Sequence, residues 1–296
     1  MLTLLYHNIL KTAADGLPVA GNQVTVDTFR QHIRRFRAHL LHPQEAHEEI
    51  SQGKNPRGIL ITFDDGAAGI EYAAEILAEA GTPGVAFICP GAVTSGLWFY
   101  RLGDAIIRST VPELRWRQYE FSVKLAEEKR RAYKALSTML FGWSPALRDE
   151  SIKEIEAAAN LSDSEPHPAL RILDEAGLRR TAATGGMIFA NHSWSHPDLV
   201  RLAADELKFE IEAAQAWLIS SGLPVIPWFA FPRGNYDGRV NEVVERICPM
   251  FFGANSREPD KRVLPRTFIQ QADSNPLRLG AKTALEGRLR RYILWR

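Results

Sequence analysis

Cysteine is scarce: only Cys89 and Cys248 occur among 296 residues. Two thiols are too few for a disulfide scaffold, and both sit in apolar stretches. Two reduced cysteines are the expectation, with a single bridge left open. No apolar run approaches the ~18 residues of a membrane span. The stretch Met1 to Leu10 has neither a basic start nor a long apolar core. It reads as a first strand rather than a secretory signal, and if it is the natural start the chain stays in the cytoplasm. A net charge of +1 provides no global field for nucleic acid or an acidic polymer. Internal repeats and low-complexity tracts are missing. What remains is an ordinary globular composition, 45% hydrophobic and 24% charged, at a length typical of a single α/β barrel.

The pattern along the chain agrees. Leu2 to Tyr6 is an apolar strand ending at His7, and a Gly/Pro/Asn-rich loop runs to Val26. Asp27 then caps a helix whose face is Phe29, Ile33, Phe36 and Leu40. A polar segment closes at Gly53 to Gly58, and Ile59-Leu60-Ile61 begins the next strand. A helix with Ile70, Ala73, Ala74, Leu77 and Ala80 on its apolar face ends at Gly81, before a strand from Val85 to Cys89. Alternation of this kind specifies a parallel α/β fold. Residues 98–160 break the rhythm and read as a helical insertion. Later come a helix over 168–176 ended by Gly177, a strand over 186–190 and a helix opened by Pro197 and reaching Ser220. A strand over 225–231, a helix over 238–247, and late strands at 250–252 and 263–269 complete the chain.

Two strand ends carry chemistry. Thr62-Phe63-Asp64-Asp65-Gly66 puts adjacent carboxylates after the strand that begins at Ile59. In parallel α/β folds the C-terminal strand ends form the active face. Side chains there alternate in direction, so the two acids need not share a role. Like charges side by side raise one pKa, and a cation taking one carboxylate as ligand removes the conflict. His192 and His196 follow another strand, four residues apart. Pro197 disfavours the α region at His196, so the pair sits in a tight turn rather than on a helix. Two histidines and one carboxylate, with a position open for water, form a recurring catalytic zinc set.

These stretches resemble the polysaccharide deacetylase (NodB-homology) family. Its first motif, Thr-Phe-Asp-Asp-Gly, is matched without change by Thr62 to Gly66; its second, His-Ser/Thr-x-x-His, is matched by His192 to His196. The resemblance spans roughly residues 1–94 and 168–270 and leaves the insertion outside. It implies a distorted (β/α) barrel with fewer than eight repeats, and with the helical insertion at 98–160 the chain reads as a single domain over 1–296. It also implies a divalent metal, zinc first, and hydrolysis of an N-acetyl group on an amino sugar. Asp65, His192 and His196 become the metal ligands, and Asp64 the base that activates the attacking water. Many members place the acid in a late Leu-x-His motif, but no histidine follows His196 here. Leu4-Leu5-Tyr6-His7 is instead similar to a subgroup, including the poly-N-acetylglucosamine deacetylases, whose histidine ends the first strand. His7 is then the general acid.

The third motif is partial. Phe229-Ala-Phe-Pro-Arg-Gly-Asn-Tyr-Asp237 keeps Pro232 and Gly234, so Pro232, Arg233, Gly234 and Tyr236 are the expected substrate-contacting residues. Ala230 stands where other members carry an arginine that orients the base, and Arg233 stands where an aromatic is usual. Arg266, in Leu264-Pro-Arg-Thr267, is the candidate replacement, with a structural ion pair as the competing reading. A backbone N–H near Arg233 is a candidate donor to an oxyanion. His32, His39, His42, His47 and His167 lie in polar helical or loop segments and read as solvated residues. From Arg278 to Arg296 six basic residues face one acid, Glu286. Such a basic amphipathic tail packs on the barrel or lies on the inner face of a membrane. Other amide chemistry, on a formylated lipid-linked sugar or a cyclic amide, and non-catalytic glycan binding are the competing functions.

Overall fold

The computed structural model describes residues 1–13, 23–161, 165–253 and 262–293, with the backbone alone over 285–293. Among these residues the strands are β1 (Leu2–Tyr6), β2 (Asn8–Leu10), β3 (Gln23–Thr25), β4 (Ile59–Phe63), β5 (Gly84–Ile88), β6 (Glu113–Trp116), β7 (Tyr119–Ser122), β8 (Met187–Asn191), β9 (Val225–Ala230), β10 (Met250–Gly253), β11 (Val263–Pro265) and β12 (Thr267–Phe268). Eight of them form one parallel sheet in the order β11-β10-β9-β8-β5-β4-β1-β12, curled into a nearly closed barrel with helices outside.

The last strand is split, and the split closes the barrel. Val263 to Pro265 pair with Phe251 to Gly253 on one edge. Thr267 and Phe268 pair with Leu4 and Leu5 on the other. Arg266 is the single residue between the halves, and its own N–H donates to Gly253 O at 3.1 Å. The late strand expected over 263–269 is therefore two short ladders meeting at Arg266.

Strand alternation assigns the two sides of the barrel wall. Leu60, Val85, Phe87, Ile188, Ala190, Ile226, Trp228, Ala230, Met250 and Phe252 form one cluster, from alternate residues of five neighbouring strands, and fill the interior. The intervening residues, among them Ile61, Phe63, Ala86 and Phe189, pack outward against helix Ile70–Ala80 through Ala73, Ala74 and Leu77. Extended past the strand ends, the inward parity of Leu60 and Thr62 points Asp64 inward, and that of Ile188 and Ala190 does the same for His192. By the same count His7 and Arg266 face inward.

Several local expectations change. Helix Val26–Phe36 is capped by Thr25, whose Oγ1 accepts from Thr28 N, with Asp27 inside the first turn. The polar segment before Gly53 contains a helix, Pro43–Ser51, capped by His42. No helix fills 168–176: a 3-10 turn over Pro168–Leu170 precedes helix Glu175–Ala183. The Asp174 carboxylate caps that helix by accepting from Gly177 N, so Gly177 lies inside it. Pro197 opens no helix; Leu199–Arg201 is a 3-10 turn and the long helix starts later, spanning Ala204–Ser220.

Residues 98–160 contain helices Trp98–Arg108, Ala126–Phe141 and Pro145–Ala159 and an unexpected antiparallel hairpin, β6 with β7. Its turn places Arg117 at φ 53 with no glycine to announce it. Leu102, Ile106, Leu114, Leu136, Leu140, Ile152 and Ile155 give this segment its own buried cluster. Helix Pro276–Ile293 docks through the buried Leu279. The side chains from 285 onward, on which the amphipathic expectation over 278–296 depends, lie outside the described residues.

Candidate active site

At the C-terminal end of the barrel, β4 delivers Asp64 and Asp65, each 4% exposed or less. Asp64 continues the inward parity and receives both Arg266 nitrogens, Nη1 to Oδ1 at 2.6 Å and Nη2 to Oδ2 at 2.7 Å. Such a two-point match holds a carboxylate by position as well as by charge. Burial alone would raise the Asp64 pKa, but Arg266 foremost, with His192 and His7, holds it below the usual carboxylate range. Arg266, outside the strand that carries Ala230, is thus the guanidinium that grips Asp64.

Asp65 breaks the alternation. Its φ of 77 is left-handed and turns the side chain back over the barrel mouth, where parity alone would send it outward. There Asp65 Oδ1 lies 3.6 Å from His192 Nε2 and 3.5 Å from His196 Nε2. Burial disfavours the Asp65 charge, and the imidazoles of His192, His7 and His196 outweigh it, so the carboxyl stays ionised. His192 Nδ1 faces the Ala230 carbonyl at 2.8 Å, which must accept, so Nδ1 carries a proton and Nε2 is the nitrogen that offers a lone pair when the ring is neutral. Burial pushes His192 down, but Asp64 and Asp65 reverse this and leave it raised. His196 is pushed down to about 3, mainly by burial, so its imidazole is neutral.

The residues fit a divalent ion. Asp65 Oδ1 and His192 Nε2 are buried without a hydrogen-bond partner. Ligand atoms of Asp65, His192 and His196 all lie within 4.8 Å of one another. Nitrogen and oxygen donors so spaced can share one ion at the ~2.0–2.2 Å of zinc coordination.

His7 sits beside them, at the end of β1. Its ring is edge-on to Phe268, centroids 5.1 Å apart, and Nδ1 is buried with no partner. Burial lowers its pKa against the opposing pull of Asp65 and Asp64. The third motif forms a 3-10 turn, Pro232–Gly234, in which Pro232 and Gly234 are buried and Arg233 has φ 54. Arg233 leans away from the expected aromatic role: its guanidinium lies 3.9 Å from the Phe141 ring centroid and 5.8 Å from that of Trp98, both in the insertion. Tyr236 packs on Phe231, centroids 4.8 Å apart.

Of the six non-glycine residues with left-handed φ among the described residues, Asp65, Ser193, His196 and Arg233 lie in these three loops. Each costs of order 1–3 kcal/mol, so backbone strain concentrates where the candidate ligands converge.

Residues 98–160 add side chains to the site that motif reading missed. Phe99 packs on the His196 ring at 4.9 Å between centroids, and Trp98 Nε1 donates to His196 O at 3.2 Å. Tyr100 is buried close enough to Asp65 for that charge to add to burial in raising its hydroxyl pKa. The run Trp98-Phe99-Tyr100 was the visible signal. The other histidines stay outside: His47 Nδ1 accepts from Trp228 Nε1, and His42 and His167 cap local turns. His32 is not solvated as expected but buried, bonded to Tyr6 and to the Asp273 carbonyl. Cys89 and Cys248 are both free and buried.

The family model described as polysaccharide deacetylase matches residues 51–247. The chain belongs to the polysaccharide deacetylase family. No curated protein matches the sequence. Among solved structures, the chain is similar to the Streptococcus pyogenes deacetylase PplD in complex with acetate. That match has 17% identity and a TM-score of 0.61 and covers 96% of this chain and 97% of that one. IcaB from Ammonifex degensii is 15% identical, at a TM-score of 0.57 over 95% and 96% of the two chains. The BpsB deacetylase domain from Bordetella bronchiseptica is 14% identical, at 0.52 over 91% and 95%. At these identities the likeness is one of fold. Family and fold together support hydrolysis of an acyl group on a carbohydrate.

Proposed function

We propose that the protein is a metal-dependent hydrolase that removes the N-acetyl group from an amino sugar in a glycan or glycan precursor. The observation that carries this reading is the pairing of two devices at one barrel mouth. A buried carboxylate is held ionised by Arg266, beside a buried Asp65–His192–His196 cluster in which Asp65 Oδ1 and His192 Nε2 have no hydrogen-bond partner.

Asp65, His192 and His196 would hold a divalent ion, zinc by the character of the donors, and such an ion would supply Lewis acidity to the reaction. Asp64 is the base. Both its oxygens are fixed by Arg266, so it takes the water proton without reorienting. The water oxygen bonds to the carbonyl carbon, and charge grows on the carbonyl oxygen. In the Pro232–Gly234 turn the N–H groups of Gly234 and Asn235 are taken by Phe231 and Pro232 carbonyls, which leaves the Arg233 amide for that charge. The carbon–nitrogen bond then breaks as the nitrogen takes a proton from His7 in its protonated form, which sits beside Asp64 and Asp65 at the end of β1. The proton on Asp64 passes to solvent, His7 takes one up, and acetate and a free amine leave.

Acetate release by zinc-loaded protein from N-acetylated monosaccharides, short oligomers and lipid-linked sugars tests the reading, with formylated sugars and Asp64→Asn alongside. Release by wild type and not by Asp64→Asn is expected. Formate release alone would move the assignment to a deformylase, and no release with zinc bound would refute the hydrolase reading.

A further inference from the structure

The turn that presents the two histidines is gripped from the insertion. Arg148, on helix Pro145–Ala159, is fully buried. Its Nη2 donates to the Ser195 carbonyl at 3.1 Å and to Ser195 Oγ at 3.3 Å. That hydroxyl donates onward to Glu210 Oε1 at 2.6 Å, and Ser195 N donates to Glu210 Oε2 at 2.8 Å. Glu210 is 3% exposed, on helix Ala204–Ser220, and its own carbonyl accepts from Trp194 N. The Arg148 guanidinium also lies 4.9 Å from the centre of the Trp98 ring, and Trp98 holds the His196 carbonyl.

Packing alone does not account for this arginine. Its Nε and Nη1 are buried with no hydrogen-bond partner among the described residues, a costly arrangement that an apolar side chain of similar length would avoid. The two side-chain hydrogen bonds it makes among the described residues are both to Ser195. The turn needs holding. His196 is a non-glycine residue at φ 57 immediately before Pro197, where extended backbone is the relaxed state. Relaxing would swing its imidazole away from Asp65 and His192.

We propose that Arg148 is a positioning residue. Through Ser195 and Glu210 it locks the Ser193–His196 turn so that His196 Nε2 meets Asp65 and His192, and the insertion thereby sets the affinity of the cluster for its ion. The inference rests on reading that cluster as an ion site and is independent of which sugar is the substrate.

The test is zinc affinity, by competition with a chromophoric chelator, for the full chain and for Arg148→Met, Arg148→Lys and Ser195→Ala. Removing a supporting hydrogen bond of this kind weakens metal binding about 10–100-fold, which is the loss expected for Arg148→Met and for Ser195→Ala. Arg148→Lys, which keeps a donor for the Ser195 carbonyl, recovers part of it. In Ser195→Ala, excess zinc restores turnover with KM unchanged. Should Arg148→Met fail to fold, Ser195→Ala decides, because it removes one oxygen and leaves the packing in place. Wild-type zinc affinity in Ser195→Ala overturns the inference while leaving the ion site standing. Absence of zinc binding by the wild type overturns both.

Discussion

Replacing Arg266 by methionine probes the catalytic base through its counter-charge. The pair is deeply buried: the Arg266 side chain is 0% exposed and that of Asp64 6%, with two hydrogen bonds between them. Breaking such a pair from one side costs about 3–5 kcal/mol, because the remaining charge stays buried without compensation. Asp64 limits that cost by taking up a proton. With Arg266 gone, burial becomes the dominant influence on Asp64 and its pKa moves from below the ordinary value to above it. Each unit of that movement is about 1.4 kcal/mol. The sign of the pH dependence then inverts. In the wild type the stability supplied by ionised Asp64 is present above the unfolded value of about 3.9 and is lost as pH falls through the lower folded pKa. In Arg266→Met the folded pKa lies above the unfolded one, so the native state binds the extra proton. The stability deficit against wild type therefore narrows as pH is lowered. Urea unfolding of the zinc-free proteins across pH measures the deficit. The acid limb of kcat/KM for acetate release, which moves to higher pH in the variant, reports the same group during turnover. An Arg266→Met enzyme with wild-type kcat/KM and an unmoved acid limb would refute the assignment of Asp64 as base and Arg266 as its holder.

Asp64→Asn keeps the Asp65–His192–His196 cluster, so it binds zinc normally in a chelator competition while turnover falls about 10²–10⁴-fold. His192→Ala removes a ligand and loses zinc binding together with activity in the same two assays. His7→Gln lowers kcat about 10²–10⁴-fold with little change in KM, since His7 acts on the departing nitrogen; an unchanged kcat would send the proton donor elsewhere. His32 bonds to Tyr6 OH at 3.0 Å and to the Asp273 carbonyl at 3.1 Å, and burial lowers its pKa. The unfolded chain therefore binds that proton first, and stability falls as pH drops below about 6.5. The drop in melting temperature between about pH 7.5 and about pH 5 is smaller in His32→Gln than in wild type.

Much of this site was open to reading in the linear sequence. A five-residue apolar strand running into Asp64-Asp65-Gly66, and a second running into His192, bring their own geometry, because strands of a parallel barrel all end on one face. Inward parity is local too, and it carries Asp64, His192, His7 and Arg266 toward one mouth. Two boundaries were misread where no glycine or side-chain cap marks the turn, the hairpin at Arg117 and the delayed helix after Pro197; a third was misread because Gly177 looks like a helix stop, whereas Asp174 caps a helix that runs through it.

By itself, then, the sequence determined the alternating α/β architecture, the two acids and two histidines, and the absence of an arginine at Ala230. Period-two and helical patterns, and side-chain identity, are properties of neighbouring residues. Tertiary structure alone decided what lies between distant segments. It split the last strand at Arg266 so that one guanidinium reaches Asp64, 202 residues away in sequence. It stacked Arg233 on Phe141 rather than across the mouth, and it brought Arg148 from the insertion to the turn holding His196. Those contacts depend on barrel closure and on the docking of two separate cores, and no local pattern of residues encodes a distance between them.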